Sequence, residues 1–337
     1  MKSLIKELVE IPGPSGYESL IRQAVADIIK PLVDHLEVDN LGNIIARIDS
    51  LSDNPKKIML SAHMDEIGII ATHIDRNGFI RFTNIGGVRP ETCPGGHVRF
   101  LNGIRGVIGT ESINTNKENL SLEKMYIDIG IQEKGQAPVR IGDVACFERP
   151  FIDMGKRLVS KAMDDRISVA IMIATIRAIM EKDIKPIHQT FFVFSTQEEV
   201  GLRGATAAAF GLNPDIGLSL DVTASGDTPK GVRMDVGLGK GPAIKVRDSG
   251  MLSDPRVVNW MVNTAEISQI PFQLEVLERG TTDARAIQLA RAGVPVGCLS
   301  IPCRYIHSPS EMVDMEDVEN SIQLLIALLQ QPVQLNF

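Results

Sequence analysis

The sequence has few aromatic residues and few cysteines, and both scarcities restrict its function. Phe, Trp and Tyr make up 4% of the 337 residues, with a single Trp, so platforms on which nucleic-acid bases stack are not expected. No pair in a Cys-x-x-Cys spacing occurs among the four cysteines, which are Cys93, Cys146, Cys298 and Cys303. We therefore interpret them as reduced, buried thiols and not as metal ligands.

Long apolar runs and clusters of basic residues are also missing. No apolar run reaches the roughly 18 residues of a membrane-spanning helix. The 35 Lys and Arg residues are outnumbered by 42 Asp and Glu residues, and the formal net charge of −7 disfavours a nucleic-acid-binding surface. The N-terminal segment carries acidic residues and lacks the apolar core of a signal peptide. We therefore expect a cytoplasmic protein that binds neither membranes nor nucleic acids.

The pattern of apolar residues changes twice along the chain. Residues 1–67 and 151–337 alternate strand-like and helical segments, which predicts an α/β fold whose mostly parallel sheet is covered by helices on both faces. Residues 68–150 instead form short alternating segments separated by turn residues, without a convincing amphipathic helix. This pattern predicts an inserted small β-rich domain, a barrel or a sandwich. Residues before and after the insertion can therefore meet in one domain.

Polar side chains stand where several predicted strands end, which is where sites form in sheets of this kind. The residues concerned are His63, Asp65, the pair Glu198 and Glu199, Asp221 and His307, together with Asp164 and Asp165 before a long helix. Taken singly, each has an ordinary structural interpretation, such as a helix cap for Asp165. Taken together, so many carboxylates at one edge would repel each other unless cations neutralise them. Imidazole and carboxylate ligands favour zinc or a similar divalent metal, and two such ions can share a bridging carboxylate.

Asp65 and the adjacent glutamates are expected to play different parts in such a site. Residues i and i+2 of an extended segment point the same way, so Asp65 can accept the second imidazole N–H of His63 and fix its tautomer. Neighbouring side chains diverge, so Glu198 and Glu199 cannot bind one ion in the same way. One is expected to be a metal ligand and the other a general base that activates water, and their positions alone leave the assignment open.

Six motifs, spread over the whole chain, carry a resemblance to a known family. They are SAHMDEIG (61–68), KAMDDR (161–166), STQEEVGLRGA (195–205), LDVT (220–223), GTTDA (280–284) and HSPSEM (307–312). In this order they resemble the M42 metallo-aminopeptidases, also called tetrahedral (TET) or glutamyl-aminopeptidase-like enzymes.

The resemblance implies two divalent ions per subunit, zinc or cobalt. By resemblance, Asp164 is the bridging ligand, His63 and Asp221 complete one ion site, and Glu199 and His307 complete the other. Glu198 matches the general base, and Asp65 matches the partner that orients the histidine. Related enzymes hold the peptide bond after the bridging Asp in the cis form, so we expect a cis bond between Asp164 and Asp165.

The resemblance also implies an activity and an assembly. Enzymes of this family remove N-terminal residues from short peptides. Their α/β catalytic domain, here residues 1–67 and 151–337, is interrupted by a β-barrel-like dimerisation domain, here residues 68–150. They form homo-oligomers, commonly dodecamers built from dimers. Arg285 is not explained by the resemblance, because a smaller residue commonly stands at that position.

Three other functions are alternatives to an aminopeptidase. A glycosidase needs two carboxyl groups facing each other about 5–9.5 Å apart, whereas Glu198 and Glu199 are diverging neighbours and sugar-stacking Trp and Tyr are scarce. A metal-dependent carboxypeptidase or deacylase would not need a free N-terminal amine on its substrate. A metal-binding assembly protein without catalysis would have closed coordination and no base, and Glu198 argues against it.

Overall fold

The structure, a computed structural model, describes residues 1–111 and 120–333 and contains an eleven-stranded sheet and a closed six-stranded barrel. The helices of the described residues are α1 (Lys2–Glu10), α2 (Ser19–Ile29), α3 (Met163–Glu181), α4 (Arg203–Leu212), α5 (Pro255–Ile267), α6 (Asp283–Gln288) and α7 (Met315–Leu329). Within the described residues, no helix combines the length and the apolar character needed to cross a membrane.

The strands divide between the two sheets. Those of the large sheet are β1 (His35–Val38), β2 (Ile44–Ile48), β3 (Lys57–His63), β10 (Ile152–Asp153), β11 (Arg157–Ser160), β12 (Gln189–Ser195), β13 (Ile216–Ala224), β14 (Ala243–Arg247), β15 (Gln273–Val276), β16 (Val296–Arg304) and β17 (Glu311–Asp314). Those of the barrel are β4 (Gly68–Ile74), β5 (Ile80–Ile85), β6 (His97–Phe100), β7 (Arg105–Thr110), β8 (Met125–Asp128) and β9 (Val144–Glu148).

The large sheet has the order β1-β2-β12-β3-β13-β16-β17-β11-β10, and β14 and β15 extend it from β16. Its centre is parallel, because β12, β3, β13 and β16 run in one direction. The neighbours on either side, β2 and β17, pair antiparallel with this centre. The predicted α/β fold is confirmed, and the sheet is mixed because short connections such as that between β1 and β2 allow only antiparallel pairing.

Alternation along the central strands divides the core of this sheet into two layers. On β12, Phe192 and Phe194 face the layer that contains α1, α2, α3, α5 and α7. Phe191 and Val193 face the opposite layer, with α4 and α6. Successive side chains of a strand point to opposite faces, so a strand covered on both faces reads as a continuous apolar run. This accounts for the uninterrupted sequence Phe191–Phe194.

The β-rich insertion forms a closed antiparallel barrel with the strand order β4-β5-β8-β7-β6-β9. It encloses an apolar core of its own, which includes Ile69, Phe100 and Ile127. The short alternating segments predicted in residues 68–150 form the strands of this barrel. Of the two predicted architectures, the barrel is therefore the observed one.

Candidate dinuclear metal site

The carboxyl ends of the central strands bring together residues that are far apart in the sequence. His63 is the last residue of β3, and Glu198 and Glu199 follow the end of β12. Asp221 lies within β13, which continues past it to Ala224, so this strand is longer than the sequence suggested. Because β12, β3 and β13 are parallel neighbours, these side chains lie at one edge of the sheet.

Two further residues reach this edge from segments of irregular backbone. Asp164 lies in the first turn of α3 but has the non-helical angles φ −76° and ψ 102°, and Asp165 is non-helical as well. The peptide bond between them is cis, as predicted. His307 lies in the loop after β16 and has a φ of 61°. Both side chains are therefore placed by the local path of the backbone and not by a regular element.

The five predicted ligands form two groups that share Asp164. The ligand atoms of His63, Asp164 and Asp221 all lie within 4.8 Å of one another, and so do those of Asp164, Glu199 and His307. Asp164 Oδ1 is 3.0 Å from Nε2 of His63, and Oδ2 is 3.3 Å from Nε2 of His307. The imidazole of His307 also lies 3.2 Å from Glu199 Oε1. One carboxylate thus faces both groups, as a bridge between two ions requires.

The two adjacent glutamates occupy different positions. Glu199 belongs to the second ligand group, whereas Glu198 belongs to neither. Oε2 of Glu198 lies 3.9 Å from Nε2 of His63 in the first group. Both glutamates border the same cleft. The side chains therefore diverge, as the sequence predicted for neighbours.

Asp65 is fully buried behind His63 and the two glutamates. Nδ1 of His63 lies 3.1 Å from the main-chain oxygen of Asp65 and 3.5 Å from its carboxylate. The carboxylate accepts hydrogen bonds from the main-chain N–H groups of Glu198 and Glu199, at 3.0 and 3.2 Å, and from the hydroxyl of Ser15 at 2.6 Å. Asp65 therefore lies beside the histidine, but its main-chain oxygen and not its carboxylate is nearer to Nδ1, and its carboxylate fixes the segment after β12.

Glu311 plays a similar part and was not singled out from the sequence. Its carboxylate accepts hydrogen bonds from the main-chain N–H groups of His307, at 2.8 Å, and Asp164, at 3.0 Å. Asp165, interpreted above as a possible helix cap, accepts from the main-chain N–H of His63 at 3.3 Å. The only sequence signal for Glu311 was its place in HSPSEM, because no residue pattern marks a carboxylate that binds main-chain groups across the fold.

The barrel also contacts the site. The turn after β5 contains Gly86 and Gly87, and a Cβ atom at Gly87 would lie 2.3 Å from Nδ1 of His307. At Gly86, which has a φ of 76°, a Cβ atom would lie 3.0 Å from Cβ of Glu199. Only glycine leaves room for these two side chains, so the barrel forms one wall of the second ligand group.

Burial and charge shift the pKa values of this cluster strongly. Burial raises the pKa of Glu198 well above its usual range, and burial together with repulsion by Asp164 does the same for Asp221. Burial alone would lower the pKa of His307, but its hydrogen bonds to Asp164 and Glu199 raise it to about 11. Without another cation, the two histidines are therefore the positive groups that balance the buried carboxylates.

The donor set fits two divalent cations. Two imidazoles and three carboxylates supply the nitrogen and oxygen ligands that zinc and similar ions prefer. The carboxylates outnumber the histidines, and burial together with repulsion by Asp164 raises the pKa values of Glu199 and Asp221 in the absence of a cation. Oδ1 of the neighbouring Asp165 is buried without a hydrogen-bond partner. The cluster therefore has the ligands of a metal site and an excess of negative charge that cations would neutralise.

The ligand groups open into a cleft of about 2100 Å³, which α4 and α6 help to line. Apart from the site residues, most of the charged side chains that border it are basic: Arg89, Arg203, Lys245, Arg279, Arg285, Arg291 and Arg304, with Glu278 as the acidic exception. Two of these have carboxylate partners, Lys245 at 3.3 Å from Glu275 and Arg304 at 2.8 Å from Asp227. The four cysteines are all free and buried, as the sequence predicted.

A family profile described as M42 glutamyl aminopeptidase matches residues 42–324, and the chain belongs to this family. The lysyl aminopeptidase of Pyrococcus furiosus is 36% identical over 99% of this chain and 98% of its own length. The aminopeptidase APDkam598 of the archaeon Desulfurococcus kamchatkensis has a similar structure, with a TM-score of 0.93 at 38% identity over 98% of this chain and 94% of that one. The TET1 peptidase of Pyrococcus horikoshii, described as assembling into a tetrahedron or a large octahedral shell, gives a TM-score of 0.87 at 32% identity over 98% and 99% of the two chains. The chain is thus an M42 aminopeptidase by family.

We expect the stabilisation of the protein by added cobalt or zinc to increase as the pH rises from about 5 to about 8. Folding raises the pKa values of Glu198, Asp221 and His307. A group whose pKa is raised by folding stabilises the fold fully below its unfolded-state pKa, and this contribution decreases as the pH rises above that value towards the folded-state pKa. As the pH rises, the metal-free protein therefore loses stability. At the same time, protons compete less with metal ions for the ligands. Thermal unfolding with EDTA and with metal at each pH measures the effect, and a metal-induced shift of Tm that does not depend on pH would contradict it.

Proposed function

We propose that the protein is a metal-dependent aminopeptidase that hydrolyses short peptides at a dinuclear site, with Glu198 as general base. The observation that carries the proposal is the position of Asp164 between two ligand groups, with a further carboxylate, Glu198, beside them. Membership of the aminopeptidase family gives the reaction class. A structural metal site would not need a carboxylate outside its ligand set.

Five side chains would hold the cations. His63, Asp164 and Asp221 would form one site, and Asp164, Glu199 and His307 the other. When bound, two zinc or cobalt ions would polarise the scissile carbonyl and lower the pKa of water. Asp65 would orient His63 through the contacts at Nδ1.

Glu198 would move the proton in this reaction. Its side chain borders the cleft, and burial raises its pKa well above that of an exposed glutamate. A base with a raised pKa takes up a proton more readily than an exposed glutamate. Glu198 would therefore accept a proton from the attacking water and deliver it to the leaving amine. The hydrogen bond from its main-chain N–H to Asp65 would hold it in place for both transfers.

We expect Glu198→Gln and Glu199→Gln to fail in different ways. Glu198→Gln keeps the shape of the side chain and removes proton transfer, so turnover should fall about 10²–10⁴-fold while both metals stay bound. Glu199→Gln removes a charged ligand, so metal content should fall together with activity. Metal analysis, the affinity of a metal-binding inhibitor and turnover, measured on both variants, separate the two effects.

Two outcomes would contradict the roles assigned to Glu198 and Glu199. Loss of metal from Glu198→Gln with retention by Glu199→Gln would exchange the two roles. Full activity of Glu198→Gln would overturn the proposed mechanism. EDTA treatment of the unmodified protein is the control, since a glycosidase that works with two carboxyl groups would keep its activity.

The charge of the cleft favours acidic substrates over basic ones. The family profile carries the word glutamyl and the Pyrococcus furiosus relative the word lysyl, so the family alone does not fix the charge of the preferred residue. In this chain, Arg279 and Arg285 border the cleft from the segment around α6. Positive side chains in a partly enclosed cleft attract a carboxylate and repel an ammonium group.

We therefore expect glutamyl-p-nitroanilide to be cleaved faster than lysyl-p-nitroanilide. Arg285→Ala should lower the ratio of kcat/KM for the two substrates, because it removes a positive charge from the cleft. Arg105→Ala, on the exposed side of the barrel where Arg105 pairs with Glu148, is the matched control and should leave the ratio unchanged. An N-acetylated peptide should not be cleaved, whereas a carboxypeptidase or deacylase would accept it. A preference for lysine in the unmodified enzyme would contradict the charge argument.

The barrel is the proposed dimerisation domain of a larger particle in the cytoplasm. The proposed domains are residues 1–67 and 151–337 for catalysis and residues 68–150 for dimerisation. The barrel exposes apolar side chains, among them Leu101 at 37% and Ile141 at 62% of their surface. The tetrahedral assembly described for the related TET1 peptidase supports a dodecamer built from dimers.

Light scattering is expected to give a mass about twelve times that of the 36.8 kDa chain. The double variant Leu101→Glu/Ile141→Glu should form smaller particles, because charge on an apolar contact surface is costly to bury. Leu51→Glu, at a residue with 79% exposure outside the barrel, serves as the control and should keep the full mass. A monomer under native conditions would rule out the proposed assembly, and a double variant of full mass would rule out this part of the barrel as the contact.

A further inference from the structure

Three serines lie behind the ligand groups on adjacent strands of the sheet. Ser61, Ser195 and Ser219 belong to β3, β12 and β13, and all three are fully buried. Ser61 is paired in register with Ser219, and Ser195 with His63. Side chains in register on neighbouring parallel strands point to the same face, here the face covered by α4 and α6.

The first turn of α6 binds all three serines. Oδ2 of Asp283 accepts hydrogen bonds from the hydroxyls of Ser61 and Ser195, each at 2.6 Å. Oγ1 of Thr282 lies 2.9 Å from the hydroxyl of Ser219. Both residues are buried, so these hydrogen bonds are shielded from water. Two consecutive residues of one helix start therefore tie three strands together.

Each of these strands carries a proposed metal ligand just beyond its serine. His63 follows Ser61, and Asp221 follows Ser219, at two residues' distance on the same face of the strand. The segment with Glu199 begins at the end of β12, directly after Ser195. A change in the spacing of the strands at the serines would therefore be passed on to the ligands.

Apolar packing would be a simpler way to hold α6. Ala284 and Ile287 of this helix already belong to the apolar layer between α6 and the sheet. Burying a carboxylate there is unfavourable, and Oδ1 of Asp283 has no hydrogen-bond partner. A group that adds little to stability but fixes directional bonds to three strands is suited to setting geometry.

We infer that Thr282 and Asp283 are positioning residues that set the distances between the ligands on β3 and β13 and the ligand in the segment after β12. This inference rests on the proposed dinuclear site. Neither residue borders the cleft, so both would act through the strands and not on the substrate.

Titration of three variants with cobalt tests the inference without a measurement of catalysis. The absorption of the bound cobalt ion reports the affinity of each variant. Asp283→Ala removes both serine bonds and should weaken cobalt binding about 10–100-fold. Asp283→Asn keeps an oxygen that can accept both hydroxyls, so its affinity should stay within about threefold of the unmodified protein. Ile287→Val removes packing from the same helix without touching the hydrogen bonds, and should lower Tm while leaving cobalt affinity unchanged.

Unchanged cobalt affinity in Asp283→Ala, with only a lower Tm, would overturn the inference and leave the pair a purely stabilising role. An equal loss of affinity in Ile287→Val would overturn it as well. If Asp283→Ala does not fold, Ser195→Ala removes one of the two bonds and should still weaken cobalt binding, and unchanged binding in that variant would overturn the inference. Failure of the unmodified protein to bind cobalt would overturn both the proposed function and the positioning role, whereas cobalt binding without peptidase activity would overturn the function alone.

Discussion

Mutual repulsion of carboxylates at one edge of the sheet is the constraint on which the rest of the site depends. Asp164, Glu198, Glu199 and Asp221 are all held close together and largely out of water, with only two histidines among them. Such a cluster costs free energy unless cations neutralise it. The fold therefore keeps a locally unfavourable arrangement, which is typical of sites whose stability is restored by a ligand.

Other carboxylates hold these groups in place by accepting hydrogen bonds from main-chain N–H or hydroxyl groups. Asp65 fixes the segment that carries both glutamates, and Glu311 fixes the backbone of Asp164 and His307. Asp283 binds the strands themselves. The ligand segments need such support because Asp164 and His307 lie in irregular backbone, outside the ladders of the sheet. A carboxylate that accepts two main-chain N–H groups fixes direction as well as distance.

The barrel has its own apolar core, and it also contacts the candidate metal site. The glycine turn after β5 packs against Glu199 and His307. A movement of the barrel would therefore shift these two side chains of the second ligand group. The helices α4 and α6 also border the cleft, and α6 carries Asp283. The cleft, the second ligand group and the inserted domain are thus linked through a small number of contacts.

The sequence by itself determined the α/β class and the β-rich insertion, and it indicated the candidate ligands, because alternation and strand-end polarity are local patterns that follow from the geometry of the backbone. The motif SAHMDEIG also placed Asp65 beside His63. Only the tertiary structure decided that the outer strands are antiparallel, that Asp65 and Glu311 bind main-chain groups of distant segments, and that Gly87 contacts His307. These features depend on contacts between residues far apart in the chain, and a hydrogen bond from a side chain to a main-chain group leaves no mark on the identity of the residue it binds.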